Sequence, residues 1–228
     1  MTPRLIVYFP LADPAVSADL LMLYVEAGVD VVEFGWPALD PFLDGADVRA
    51  SMARVAAGDP ARALDEALNK LAGRAQALVM TYGEAEAGAV ERADAVLVVA
   101  KPGAARRIAL EATAKRIATF LPLPLQDEDI EAAAHASFYA MLQAAPGVTG
   151  MRATLDLGNA ERIGALRAAG VTAPIVLGFG VSTGEHARAA VALGADGIVV
   201  GSAALRATLA GRRELAALLK DLRRGLDG

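Results

Sequence analysis

Residues 174–205 read PIVLGFGVSTGEHARAAVALGADGIVVGSAAL. Ile175–Leu177 is a short apolar run, and a helix pattern follows from Thr183 to about Leu193. Thr183 suits the N-cap, and Gly194 stands just past the helix end, where a left-handed cap favours glycine. Gly197–Val200 is a second apolar run, and a short helix pattern starts at Ser202. Runs of continuous hydrophobicity, rather than alternation, are what parallel strands covered on both faces require.

The same alternation extends to both ends of the chain. Strands are predicted at Leu5–Phe9, Val29–Phe34, Ala77–Met80, Ala95–Val99, Arg116–Leu121, Phe138–Leu142, Ile175–Leu177 and Gly197–Val200. Asp13-Pro14 is read as opening a helix over Ala15–Ala27, and Asp59-Pro60 as opening one over Ala61–Leu71. A further helix is predicted from Asp127 to about His135, and Glu26-Ala-Gly28 reads as a helix end. Eight β/α units with no linker or composition break predict one domain over residues 1–228, a closed (β/α)8 TIM barrel. An open doubly wound sheet is the alternative. It wants a glycine-rich phosphate turn after the first strand, and Phe9-Pro-Leu-Ala-Asp13 does not supply one.

The chain has 228 residues, 55% of them hydrophobic and 5% aromatic, which is ample for one core of this kind. A net charge of -5 and the lack of any Lys/Arg cluster argue against a nucleic-acid surface. Arg106-Arg107 and Arg223-Arg224 are read as solvated helix faces. The absence of cysteine excludes disulfides, thiolate nucleophiles and Cys-ligated metals. No HxH, HExxH or paired DxD spacing occurs, so no metal site is expected; His135 and His186 fall in helix patterns, facing solvent or neighbouring helices. The N-terminal apolar run is too short for a signal or a membrane span, and no longer charge-free run follows. The expectation is a soluble, cytoplasmic protein without membrane contact.

In a barrel the chemistry sits at the C-terminal ends of the strands. Residues 30–45, DVVEFGWPALDPFLDG, place Glu33 near such an end, inside an apolar run. A carboxylate walled by Val31, Phe34 and Trp36 is expected to be desolvated, with its pKa raised toward neutrality, where one group can both give and take a proton. The plainer alternative is a structural ion pair with an arginine. The Pro37…Pro41…Gly45 loop is long enough to bring Asp44 back over the barrel mouth as an acceptor, while Asp40 either caps a turn or faces outward. At the last two strand ends, Gly178-Phe-Gly180 and Gly201-Ser202 are small enough for backbone N–H groups to approach an anion, with a helix starting at Ser202 behind them. A substrate phosphate is expected there; the bland reading is that these glycines merely close tight turns.

E-F-G-W-P-A-L-D-P-F-L-D-G resembles the E-L-G-x-P-x-S-D-P-x-A-D-G signature of the tryptophan synthase α subunit family. The likeness continues in order through Ala12-Asp13-Pro14, Glu26-Ala-Gly28, Pro146-Gly-Val-Thr-Gly150, Gly178-Phe-Gly-Val-Ser182 and Gly201-Ser-Ala203. It implies retro-aldol cleavage of indole-3-glycerol phosphate to indole and glyceraldehyde 3-phosphate, without metal or organic cofactor. It further implies Glu33 as general acid/base, Asp44 as acceptor of the indole N–H, and Gly150, Gly180, Gly201 and Ser202 as the phosphate cradle. Tyr8, Trp36, Thr81, Met141 and Phe179 are the expected pocket residues, and a tryptophan synthase β subunit is the implied partner.

Compared with the family, the chain begins almost at its first strand, without the N-terminal helix, and its third helix shrinks to little more than Gly83–Arg92. The tyrosine after the third strand is displaced by one residue in Thr81-Tyr82-Gly83. Met141 takes the place of a sixth-strand tyrosine, and Tyr139 lies two residues earlier with the same facing. Lys101, just past the fourth strand, opens the alternative of a Schiff-base aldolase; the bland reading is a solvent-facing lysine. A non-catalytic partner that binds a phosphorylated ligand and tunes a β subunit is a third possibility, although it has no use for Glu33 and Asp44.

Overall fold

The computed structural model describes residues 2–55, 58–101, 103–145 and 155–228. Eight strands form a closed parallel barrel in chain order: β1 Arg4–Pro10, β2 Val31–Gly35, β3 Gln76–Thr81, β4 Ala95–Val98, β5 Ile117–Leu121, β6 Tyr139–Gln143, β7 Ile175–Gly178 and β8 Gly197–Val200. Around them run α1 Leu21–Glu26, α2 Ala46–Ala53, α3 Pro60–Leu71, α4 Ala87–Arg92, α5 Ala105–Glu111, α6 Asp127–Ala134, α7 Asn159–Ala168, α8 Gly184–Ala192, α9 Ser202–Ala210 and α10 Arg212–Asp227. All eight predicted strands are present. Each alternates its side chains between two apolar clusters, one filling the barrel and one lying between barrel and helices. Ile6, Tyr8, Val31, Leu78 and Met80 point inward. Val7, Phe9, Val32, Phe34 and Val79 point outward to the helices.

Local chemistry sets most helix ends as expected. Asp59 caps α3, its carboxylate accepting from the Arg62 N–H at 2.9 Å, and Thr183 caps α8 by accepting from the His186 N–H at 3.2 Å. The first helix differs from its prediction. Asp13 does not cap it: its carboxylate accepts the Ala15 N–H at 3.0 Å in a local turn and is otherwise bound by Ser51 and Arg54 from the end of α2. The chain instead turns to Ser17, which caps a single 3-10 turn at Ala18–Leu20, and α1 follows from Leu21.

Two of the four paired arginines, Arg107 and Arg223, are not on solvated faces. Arg106 donates to the carbonyl of Gly83 at 2.5 Å, and Arg107 is buried, bound to Glu111 at 2.7 Å and to the carbonyl of Ala100 at 3.1 Å. Arg223 reaches back across the molecule to the carbonyl of Pro3 at 2.9 Å and to Asp30 at 3.1 Å. Arg106 and Arg224 are exposed, as predicted. The two histidines differ from each other. His135 is exposed at the end of α6, whereas His186 is buried and accepts at Nδ1 from the Ser182 N–H at 3.3 Å.

At the N-terminal end of the barrel, Phe138 stacks against the guanidinium groups of Arg4 and Arg116, 5.8 and 4.4 Å from its ring centre. Phe138 belongs to the interior cluster, so this aromatic–cation stack closes the barrel floor. The seam is held by β1–β8 pairing and by α10, whose Asp221 carboxylate accepts the Gly184 N–H at 2.6 Å. No helix among the described residues is long and apolar enough to cross a membrane.

Candidate active site

Strand alternation decides where Glu33 goes. Val31 faces the barrel interior, so Glu33, two residues on, does too, level with Tyr8 on β1 and Leu78 on β3. It is 4% exposed, and its Oε2 accepts from the Tyr139 hydroxyl at 2.7 Å. No lysine or arginine among the described residues pairs with it, so the ion-pair reading fails. Burial pushes its pKa up to about 7, against the lowering effect of Tyr139 and with a further push from Asp44. A carboxyl poised there is half protonated near neutrality and serves as acid or base with equal ease.

The loop after β2 carries Asp44 back over the same interior. A turn with the Asp44 N–H donating to the Pro41 carbonyl (3.0 Å) shapes it, and Arg49 braces it by donating to the Asp44 carbonyl at 2.8 Å. Asp44 is buried, and its Oδ2 accepts from the Tyr82 hydroxyl at 2.8 Å. Burial raises its pKa to about 6, while Tyr82 and Arg49 pull the other way. The site thus holds two buried carboxyls, each served by a neutral tyrosine donor and neither by a contacting cation head group.

Between them lies a cavity of about 50 Å3, lined by Tyr8, Glu33, Asp44, Tyr82, Phe179 and Ser202 among others, with Met80, Leu97 and Met141 as apolar wall. Phe179 closes one side by stacking on Phe120, ring centres 5.1 Å apart, and holds a left-handed φ of 68° to do so. Gly201 and Ser202 form the far wall. A Cβ at Gly201 would meet nothing within 4 Å, and the Ser202 hydroxyl is buried without a hydrogen-bond partner. Ser202 is the first residue of α9, so unpaired backbone N–H groups and the positive helix end face the same place.

The family model described as Tryptophan synthase alpha chain matches residues 2–223. The chain belongs to the tryptophan synthase alpha chain family. A curated alpha chain from Geobacter sulfurreducens is 32% identical over 89% of this chain and 83% of that one. Another from Archaeoglobus fulgidus is 31% identical over 97% of this chain and 98% of its own length. Among solved structures, Mycobacterium tuberculosis tryptophan synthase superposes with a TM-score of 0.82 at 26% identity, over 99% of this chain and 93% of that one.

Within this tryptophan synthase alpha fold the expected pocket residues divide by facing. Tyr8, Met141 and Phe179 line the cavity with Glu33, Asp44, Gly201 and Ser202. Trp36 does not: it shares the outward parity of Phe34, and both lie in the shell between barrel and helices. Thr81 is also turned away from the cavity. Its hydroxyl accepts the N–H groups of Gly83 and Ala85 at 2.9 and 3.1 Å and so holds the β3–α4 turn. Gly180, with φ 109°, shapes the turn behind Phe179 and is off the cavity wall. Gly150 lies outside the described residues. Asp40 is exposed, and so is Lys101, which is not on the cavity wall; that removes the geometric basis for a Schiff base there. Two tyrosines that the site depends on, Tyr82 and Tyr139, were not among the expected site residues. Tyr139 was accessible through its parity with Met141. Tyr82 carried no facing signal, because it stands beyond the end of its strand.

Proposed function

We propose that this chain is a carbon–carbon lyase that cleaves indole-3-glycerol phosphate to indole and glyceraldehyde 3-phosphate. The observation that carries the reading is Glu33, a buried carboxyl with its pKa near 7, facing Asp44 across a cavity that ends at the free N-terminus of α9. A substrate with its phosphate at Gly201-Ser202 and its ring N–H at Asp44 presents carbon C3 and the neighbouring hydroxyl to Glu33. Protonated Glu33 gives its proton to C3, and Asp44, as carboxylate, offsets the positive charge that appears at the ring nitrogen. The Glu33 carboxylate then takes the proton of the hydroxyl on the carbon attached to C3. The C–C bond breaks, its electron pair returns to the five-membered ring, and the C–O becomes the aldehyde carbonyl. The acid is regenerated. Tyr139 orients Glu33 through both states by donating to the oxygen that is not exchanging the proton.

A cavity of about 50 Å3 has room for a few water molecules rather than a bicyclic ring, so the loop bearing Asp44 opens to admit substrate. The same loop exposes Leu39 fully and Phe42 by half. We infer that a tryptophan synthase β subunit docks on this apolar rim and favours the closed loop. Incubation of the purified chain with indole-3-glycerol phosphate, with and without a β subunit, tests both statements. Indole release that rises when the β subunit is added is expected, and no release under either condition overturns the assignment.

A further inference from the structure

Tyr8 is the polar group in the cavity that the reading above leaves without a task. It stands on β1 directly beside Glu33 in the sheet register, points inward, and is 2% exposed. Its ring and hydroxyl lie over Gly35, where any Cβ would come within 2.2 Å of the hydroxyl oxygen. The sequence therefore leaves space for that hydroxyl by placing glycine beneath it. The backbone is fixed from behind, the Tyr24 hydroxyl donating to the Tyr8 carbonyl at 2.9 Å. Yet the Tyr8 hydroxyl is buried with no hydrogen-bond partner. Glu33 and Asp44 each have a tyrosine of their own, Tyr139 and Tyr82. A buried donor left unmade destabilises a fold, and phenylalanine fills the same space without that penalty. Packing alone does not account for the hydroxyl.

We propose that the Tyr8 hydroxyl is a catalytic donor to the substrate: it hydrogen-bonds the oxygen on the carbon attached to indole C3, the oxygen that Glu33 deprotonates. This assignment rests on the cleavage reaction proposed above. Burial and the neighbouring carboxylates of Asp44 and Glu33 hold Tyr8 well above the ordinary tyrosine pKa, so it donates a hydrogen bond and keeps its proton. As the hydroxyl proton passes to Glu33 and the C–C bond breaks, negative charge gathers on that oxygen before the carbonyl forms. A fixed donor in a water-poor cavity stabilises it there. Tyr8 thereby joins Asp44 and Ser202 in reading a ligand along its length: ring N–H, carbinol oxygen, phosphate.

The test is Tyr8→Phe. With indole-3-glycerol phosphate, kcat falls about 100-fold. Affinity for indole-3-propanol phosphate, which lacks the glycerol hydroxyls, stays within twofold of wild type, and the melting temperature equals or exceeds that of wild type. A kcat within twofold of wild type overturns the assignment. So does an equal loss of affinity for the hydroxyl-free analogue, or a lowered melting temperature, either of which marks a packing role. If the wild-type chain itself releases no indole, the cleavage reading fails, and equilibrium binding decides Tyr8 separately. Wild type then prefers indole-3-glycerol phosphate over the hydroxyl-free analogue and Tyr8→Phe loses that preference. The same preference in both proteins overturns the donor role.

Discussion

Two neighbouring strand ends each bury a carboxylate and treat it in opposite ways. Asp13, just past β1, is 3% exposed, and Glu33, near the end of β2, is 4% exposed. Burial raises the pKa of both. At Asp13 that push is overcome by hydrogen bonds from Arg54 and Ser51 and by the Arg54 charge, so the group stays below the usual carboxylate range. At Glu33 the only side-chain donor among the described residues is the neutral Tyr139, and the group rises to about 7. What separates an anchor from a proton shuttle here is the partner, a guanidinium against a phenol. Asp13 spends its charge tying the β1–α1 turn to the end of α2, the helix that follows Asp44. Glu33 keeps its charge negotiable.

The largest expected effect comes from removing the negotiable charge. Glu33→Gln keeps an acceptor for Tyr139 and lowers indole release on the order of 10³-fold, with glyceraldehyde 3-phosphate binding nearly unchanged. A loss under tenfold in a steady-state indole assay would break the comparison. The same substitution reports on stability. A carboxyl raised from 4.5 to about 7 in the fold binds its proton more tightly folded than unfolded. Its contribution is complete below about pH 4 and is lost as pH rises through 7. Glu33→Gln therefore melts above wild type at pH 8, by about 3 kcal/mol of unfolding free energy, and the gap closes toward pH 5. Melting curves at the two pH values check the sign.

Asp13 runs the other way: its lowered pKa gives stability that is present above the ordinary carboxylate range and lost on acidification. Arg54→Met leaves that carboxylate buried without its cation. Urea unfolding at pH 7 should show a destabilisation of about 2 kcal/mol, below that of a fully buried broken pair because the Arg54 side chain is 35% exposed. A change under about 0.5 kcal/mol would make it an ordinary surface pair. The smallest effect sharpens the role of the phenol. Tyr139→Phe removes the donor that holds Glu33 down and moves the inflection of the kcat/KM pH profile upward by about one unit. An unmoved inflection would mean that Tyr139 does not set the acidity of Glu33.

The barrel was legible because each strand is a short continuous apolar run between helix patterns, and that signal survives in a single sequence. Glu33 was legible for the opposite reason, as a charge near the C-terminal end of such a run. Facing was legible in principle but needed strand parity to be carried through. Glu33 inward forces Phe34 and Trp36 outward, and Met80 inward forces Thr81 outward. Of the wall first expected around Glu33, Val31 shares its interior face, while Phe34 and Trp36 belong to the other side of the sheet. Long-range partners left no local trace. Asp13-Pro14 looks like a helix start until Arg54 and Ser51, some 40 residues on, claim the carboxylate. Tyr82 meets Asp44 across 38 residues, and nothing in either segment announces it.

The contacts of Arg223 carry a consequence for how the chain comes to be folded at all. It binds the carbonyl of Pro3 and the carboxylate of Asp30, 220 and 193 residues away, beside the seam where β8 meets β1. A chain emerging from a ribosome N-terminus first has neither the last strand nor this clasp until the segments from Gly197 to Arg223 have been made. The free edge of β1 waits for its second neighbour until β8 at Gly197–Val200 has been made, an open strand edge of the kind that invites wrong pairing. For this protein the order of manufacture and the order of closure are opposed: β1 is made first among the strands and its ring partner β8 last.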